Sequence, residues 1–150
     1  MTGVEPDTSP AVLAHRVREA RRSDAPRVRA LQTLLSEPSP RLLTYGLGPG
    51  TLLVTPDDGD NPVGYLLAVS GPETHVAELV VAPAHRREGR ASALLDALFA
   101  ILPTGHRVTL AVRPDNEGAL SLYESVGFER VGREDGFYTD GPALVLARRV

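Results

Sequence analysis

Residues 77–95 read AELVVAPAHRREGRASALL, and the parse of this stretch decides the fold. Val80 and Val81 are β-branched in a short apolar run, which suits a strand covered on both faces. Pro83 turns the chain. Leu94, Leu95, Leu98 and Leu102 recur at helical spacing, so the second half is a helix with one buried stripe, opening at Gly89. Between strand and helix lies Arg86-Arg87-Glu88-Gly89-Arg90-Ala91. Backbone N–H groups at a helix N-terminus lack intrahelical partners, and the dipole there favours an anion. Gly89 and Ala91 leave the main chain approachable, and the arginines add positive charge. The 86–92 loop is therefore expected to hold a pyrophosphate.

Working outward, residues 1–14 mix proline, glycine and small polar side chains without periodicity and read as a loose tail. Residues 15–150 read as a single domain. A first strand is expected over 15–20, with Val17 inward. Ser23 or Asp24 then offers an N-cap, with Pro26 in the first turn, to a helix carrying Val28, Leu31, Leu34 and Leu35. SEPSP at 36–40 stops that helix. The following RLLTYGLGPG is ambiguous, because its glycines weaken a helix. Segments 51–55 and 63–70 read as hairpin strands around a polar turn, and Gly71-Pro72 leads into the strand that ends near Ala82. After the central helix come breakers at 103–105, a strand over 108–112 and an amphipathic helix over 116–126 closed by Gly127. Segments 128–132 and 143–147 are the last strands. This order describes an α/β fold: a mixed, mostly antiparallel central sheet with helices on both faces.

The 150 residues suffice for one folded core. A net charge of −3 gives no reason to expect nucleic acid or a membrane surface as partner. With no cysteine, neither disulfides nor a thiol nucleophile are available, and four scattered histidines do not suggest a metal. No run approaches the roughly 20 apolar residues of a membrane span, and no apolar signal core opens the chain. A soluble cytoplasmic protein, monomer or homodimer, is the expectation. All 16 basic side chains are arginine, which reads as compositional bias.

VVAPAHRREGRASALL resembles the acyl-CoA loop of the GNAT superfamily of N-acetyltransferases, written V-x-P-x-x-[QR]-x-x-G-x-[GA]. Val81, Pro83, Arg86, Gly89 and Ala91 hold its fixed positions. Asn116, Ala119, Leu122, Tyr123, Gly127 and Phe128 match a second signature, N-x-x-A-x-x-L-Y-x-x-x-G-F. Two ordered signatures are far more specific than one glycine-basic loop. The resemblance covers about residues 16–148. It implies a GNAT-like fold, acetyl-CoA as acyl donor and a primary amine as acceptor, on a small molecule or a protein N-terminus. The 86–92 residues Arg86, Arg87, Glu88, Gly89, Arg90, Ala91 and Ser92 would hold the cofactor. Leu79, Val80 and Val81 would present backbone to its pantetheine arm, with Asn116 and Tyr123 nearby. Arg90 fills a variable slot that is often aliphatic.

Acetyl transfer to an amine also needs proton management, since amines are protonated at neutral pH. The resemblance gives Tyr123 the role of proton donor to the leaving thiolate; the plainer role is a core aromatic. Asn116 is equally a good helix cap. Glu78 sits among apolar strand residues, where a carboxylate needs a reason, and is the candidate base. AELVV is similar to the same stretch in mycothiol-synthase-like members, where a glutamate stands here. His75 competes, since it accepts a proton without a large shift, and solvent is a third source. The C-terminal segment resembles ribosomal-protein N-terminal acetyltransferases, but Ala111 stands where that branch carries a glutamate. A different class of reading is a non-catalytic acyl-CoA-binding or sensor domain, which would keep the 86–92 loop and need neither Tyr123 nor Glu78.

Overall fold

The computed structural model describes residues 15–150; the tail expected over 1–14 lies outside the described residues. Seven strands form one sheet in the order β1-β2-β3-β4-β5-β7-β6. In chain order these are β1 (Arg18–Glu19), α1 (Ala25–Gln32), α2 (Pro40–Leu47), β2 (Thr51–Pro56), β3 (Pro62–Val69) and β4 (Thr74–Val81). Then come α3 (Arg90–Ile101), β5 (Arg107–Val112), α4 (Glu117–Ser125), β6 (Glu129–Tyr138) and β7 (Gly141–Arg149). Every neighbouring pair is antiparallel except β4 with β5.

Strand alternation divides the core in two. On one face Leu52, Val54, Tyr65 and Leu67 meet Val28 and Leu31 of α1 and Leu43 of α2. On the other, Leu53, Leu66, Ala68 and Val76 meet Leu94, Leu95 and Leu98 of α3 and Leu120 of α4. Each of the three α3 leucines is fully buried, and truncating one to alanine costs about 2–5 kcal/mol.

Two irregularities in β4 make the site. Leu67 pairs with Glu78 and Ala68 with Val76, so Ala77 is an extra residue, a bulge. An extra residue shifts the side-chain phase by one. Val76 therefore faces α3, while Glu78 and Val80 turn toward α1. The second irregularity is a splay. Pairing between β4 and β5 stops at Val76 with Leu110, although β4 continues to Val81 and β5 to Val112. Beyond that point the β5 side of β4 keeps backbone groups without a strand partner among the described residues.

Several elements differ from the sequence expectation. The ambiguous 41–50 segment is helical only through Leu47, in α2, and Gly46 lets that helix lie close on the sheet. A Cβ there would come within 3.2 Å of Leu67 and 3.3 Å of Leu52. Helix α1 ends at Gln32, leaving Leu34 47% exposed instead of in the stripe. Strand β6 runs to Tyr138, well past the expected 132. Almost all of it is exposed, so it has no apolar alternation to read, and main-chain pairing with β7 holds it. Strand β1 is shorter than expected and β7 longer.

Candidate active site

The splay opens into two adjoining cavities. The first, about 580 Å³, lies between the end of β4, the 86–92 loop and α4. Leu79, Val80, Val81, Arg86, Arg87, Gly89, Arg90, Ala91, Ser92, Asn116 and Tyr123 line it; Glu88 does not. The backbone N–H groups of residues 87–92 have no backbone partner among the described residues. Arg87 and Gly89 both have left-handed φ, 63° and 84°, the kind of backbone from which anion-binding nests are built. A Cβ built on Gly89 meets nothing within 4 Å, so open space lies against the main chain there. Such a cradle suits a pyrophosphate, and the residues present fit acetyl-CoA.

The second cavity, about 560 Å³, is lined by His75, Glu78, Ala111, Arg113 and Tyr138 among others. Leu34, Leu35, Leu79, Asn116, Ala119 and Tyr123 wall both cavities, so the two adjoin along a line that includes Tyr123. The Tyr123 ring packs edge-on against Phe128 at 5.9 Å. Burial pushes its phenol up to about 12, with Tyr138 adding to the shift, so it keeps its proton at neutral pH. Asn116 caps α4 by accepting from the Ala119 N–H at 3.1 Å.

Glu78 is 6% exposed. Its Oε1 accepts from the Tyr65 hydroxyl at 2.9 Å, and Gln32 Nε2 lies 3.1 Å from both carboxylate oxygens. Gln32 also donates to the Ser39 carbonyl, tying the α1–α2 connection to the carboxylate. Burial, reinforced by the Glu78 charge, drives the Tyr65 phenol far above its ordinary range, so Tyr65 keeps its proton and donates it to Glu78 in a hydrogen bond. Neither Tyr65 nor Gln32 is singled out by the sequence reading. Their partner is set by the Ala77 bulge, which leaves no mark in the residue pattern. Half-buried His75 is held by Thr109 Oγ1 at 3.0 Å, and burial lowers its pKa, so its imidazole is neutral at pH 7.

The Acetyltransferase (GNAT) family profile matches residues 14–128. The chain belongs to the GNAT acetyltransferase family. A mycothiol acetyltransferase from Clavibacter sepedonicus is 39% identical over 89 residues, 59% of this chain and 29% of that protein. The N-alpha-acetyltransferase RimI of Mycobacterium tuberculosis is 42% identical over 66 residues, 44% of this chain and 41% of that protein. The chain thus spans less than half the length of these curated relatives. The crystal structure of Ard1 from Thermoplasma volcanium superposes with a TM-score of 0.79 at 28% identity, covering 91% of this chain and 98% of that one.

Within this GNAT domain the loop side chains divide their work. Arg87 is exposed at the cavity. Arg86 donates through Nε to the Val81 carbonyl at 2.9 Å, fastening the loop to the end of β4. Glu88 turns away from the cavity to pair with Arg90. The Arg90 guanidinium is buried against β2, so its main chain faces the loop while its charge does not lead into solvent. Across the second cavity, Glu37 accepts from the Thr139 N–H and hydroxyl at 3.1 and 3.0 Å. Arg113 pairs with Glu37 and Asp140 and lies 4.0 Å over the Tyr138 ring. This clasp joins the α1–α2 connection to the β6–β7 turn.

Proposed function

We propose that this GNAT domain moves an acetyl group from acetyl-CoA directly to a primary amine, using the first cavity for the donor and the second for the acceptor. The observation that carries this reading is the shared wall at Tyr123, where an anion cradle and a carboxylate-bearing cavity meet. The mycothiol acetyltransferase and N-alpha-acetyltransferase relatives support an amine acceptor, on a small molecule or a polypeptide N-terminus.

When bound, acetyl-CoA supplies an activated acetyl thioester. The N–H groups of residues 87–92, without a backbone partner among the described residues, would hold its pyrophosphate, and the edge of β4 at Leu79 to Val81 would orient the pantetheine arm. Glu78 takes a proton from the incoming ammonium group. Its Oε1 already accepts from two donors, whereas Oε2 accepts from Gln32 alone and keeps room for another proton. Tyr123, protonated at working pH, delivers a proton to the departing sulfur. The second cavity is lined by both His75 and Glu78, and Glu78 is the better-held base because two side chains fix its carboxylate.

A panel of small amines and short peptides, offered with acetyl-CoA and followed by thiol release, tests the reading. Acetylated product from at least one amine is the expected result. Coenzyme A binding without turnover on any amine would point instead to a binding domain.

A further inference from the structure

We infer that Arg90 is a positioning residue that sets the shape of the pyrophosphate loop from behind, by clamping it to the end of β2. The inference rests on the reading of that loop as the coenzyme A site. Arg90 is the first residue of α3 and is only 8% exposed. Its Nη1 donates to Thr55 Oγ1 at 2.9 Å and to the Pro56 carbonyl at 3.1 Å. Its Nε donates to Glu88 Oε1 at 3.0 Å. One planar fork thus joins three points: the helix start, the loop residue beside it, and a strand two elements earlier in the sheet. The pair with Glu88 also neutralises a charge that would otherwise be costly to bury.

The loop needs such a brace. Arg87 and Gly89 hold left-handed backbone, and the N–H groups of 87–92 have no backbone partner among the described residues. A segment with so few internal ties loses ordering entropy when it grips a ligand, unless the scaffold has ordered it beforehand. The remaining fastenings are few. Arg86 reaches Val81, His15 Nε2 meets the Glu88 carbonyl at 2.7 Å, and Ala93 bonds back to Gly89. Among these ties Arg90 is the buried one, joining the loop to β2, whereas His15 reaches it from the segment before β1 through an exposed hydrogen bond. Lysine would be a poor substitute, because a single ammonium does not span a strand carbonyl, a hydroxyl and a carboxylate in one plane.

The test is calorimetric titration of the whole chain with coenzyme A, in a cycle of Arg90→Leu, Thr55→Val and both together. Thr55 is fully buried in β2 and lines neither cavity. Clamping predicts that Arg90→Leu weakens coenzyme A at least tenfold and Thr55→Val at least threefold. The double variant should bind no more weakly than Arg90→Leu alone, since both changes cut the same connection. Arg90→Lys should stay well below parental affinity. Parental affinity in Arg90→Leu overturns the inference. So does an unchanged Thr55→Val together with full recovery in Arg90→Lys, which would make Arg90 a simple charge. If Arg90→Leu does not fold, the threonine and lysine variants still decide. A parent that binds coenzyme A but is unaffected by these changes leaves the loop assignment standing; a parent that fails to bind it removes both.

Discussion

Tyr65 and Gln32 converge on the Glu78 carboxylate, and this arrangement makes a buried charge tolerable in an apolar strand. Glu78→Gln keeps shape and one acceptor oxygen but cannot take a proton. Its kcat/KM profile should lose or move the acidic limb, with lower turnover across neutral pH. Solvent-only deprotonation would leave the parental profile. His75→Gln is the control, and loss of the limb there alone would move the role to the imidazole. Tyr123 calls for a different measurement. Removing its hydroxyl leaves the ring against Phe128, so folding should survive. In Tyr123→Phe, kcat should fall by about 10²–10⁴ while coenzyme A affinity barely changes. Near-parental turnover, with chemistry rate-limiting, would make it a packing residue.

Among elements, the strand–loop–helix of 77–95 is the one whose conformation follows most directly from its sequence. Gly89 takes a φ of 84°, and a side chain there meets no protein atom. Gly89→Val therefore acts through backbone strain and by filling the approach to the main chain. Coenzyme A binding should weaken at least tenfold, about 1.4 kcal/mol, in a protein still folded by circular dichroism. Unchanged affinity would take the cofactor away from this loop. The two signatures made this half of the site legible, together with the hairpins and both later helices. In the acceptor half Glu78 and His75 were legible as candidate bases, but what surrounds them was not, for local reasons. Ala77 is an ordinary strand residue, and only pairing with β3 makes it a bulge. Helix α2 survives its glycine because the sheet receives it closely. The Glu37–Thr139 bond joins residues 102 apart in sequence. That clasp predicts that Glu37→Ala will speed hydrogen exchange in both 33–39 and 136–141 while leaving coenzyme A affinity alone. Faster exchange in neither segment would mean that the clasp does not hold them.

At the scale of the molecule, the sheet is parted in the middle for its ligands and must be secured at its ends. At one end Arg18 of β1 forks onto Asp24 at 2.8 and 3.1 Å and also reaches Asp60 in the β2–β3 turn. Asp24 further accepts the Arg21 N–H at 2.7 Å, so one carboxylate fixes the first strand to the start of α1. The Arg18 hydrogen bond is the main cause holding the Asp24 pKa below its ordinary 3.8, and the same bond raises Arg18. An acid with a depressed folded pKa contributes stability that is fully present above its unfolded value. That contribution is lost as pH falls through the folded value. Thermal midpoints should then hold steady with respect to this pair from neutral pH to about 5 and drop below about 4. Asp24→Asn removes the charge from a hydrogen bond worth about 1.5–3 kcal/mol. At neutral pH its midpoint should fall by roughly 4–10 °C. Its further decline in acid should be shallower than the parent's, because one titrating group is gone. Parallel melting curves from pH 7 to 2 decide the matter: two proteins separated by the same gap throughout would show that Asp24 is not titrating as the pair requires.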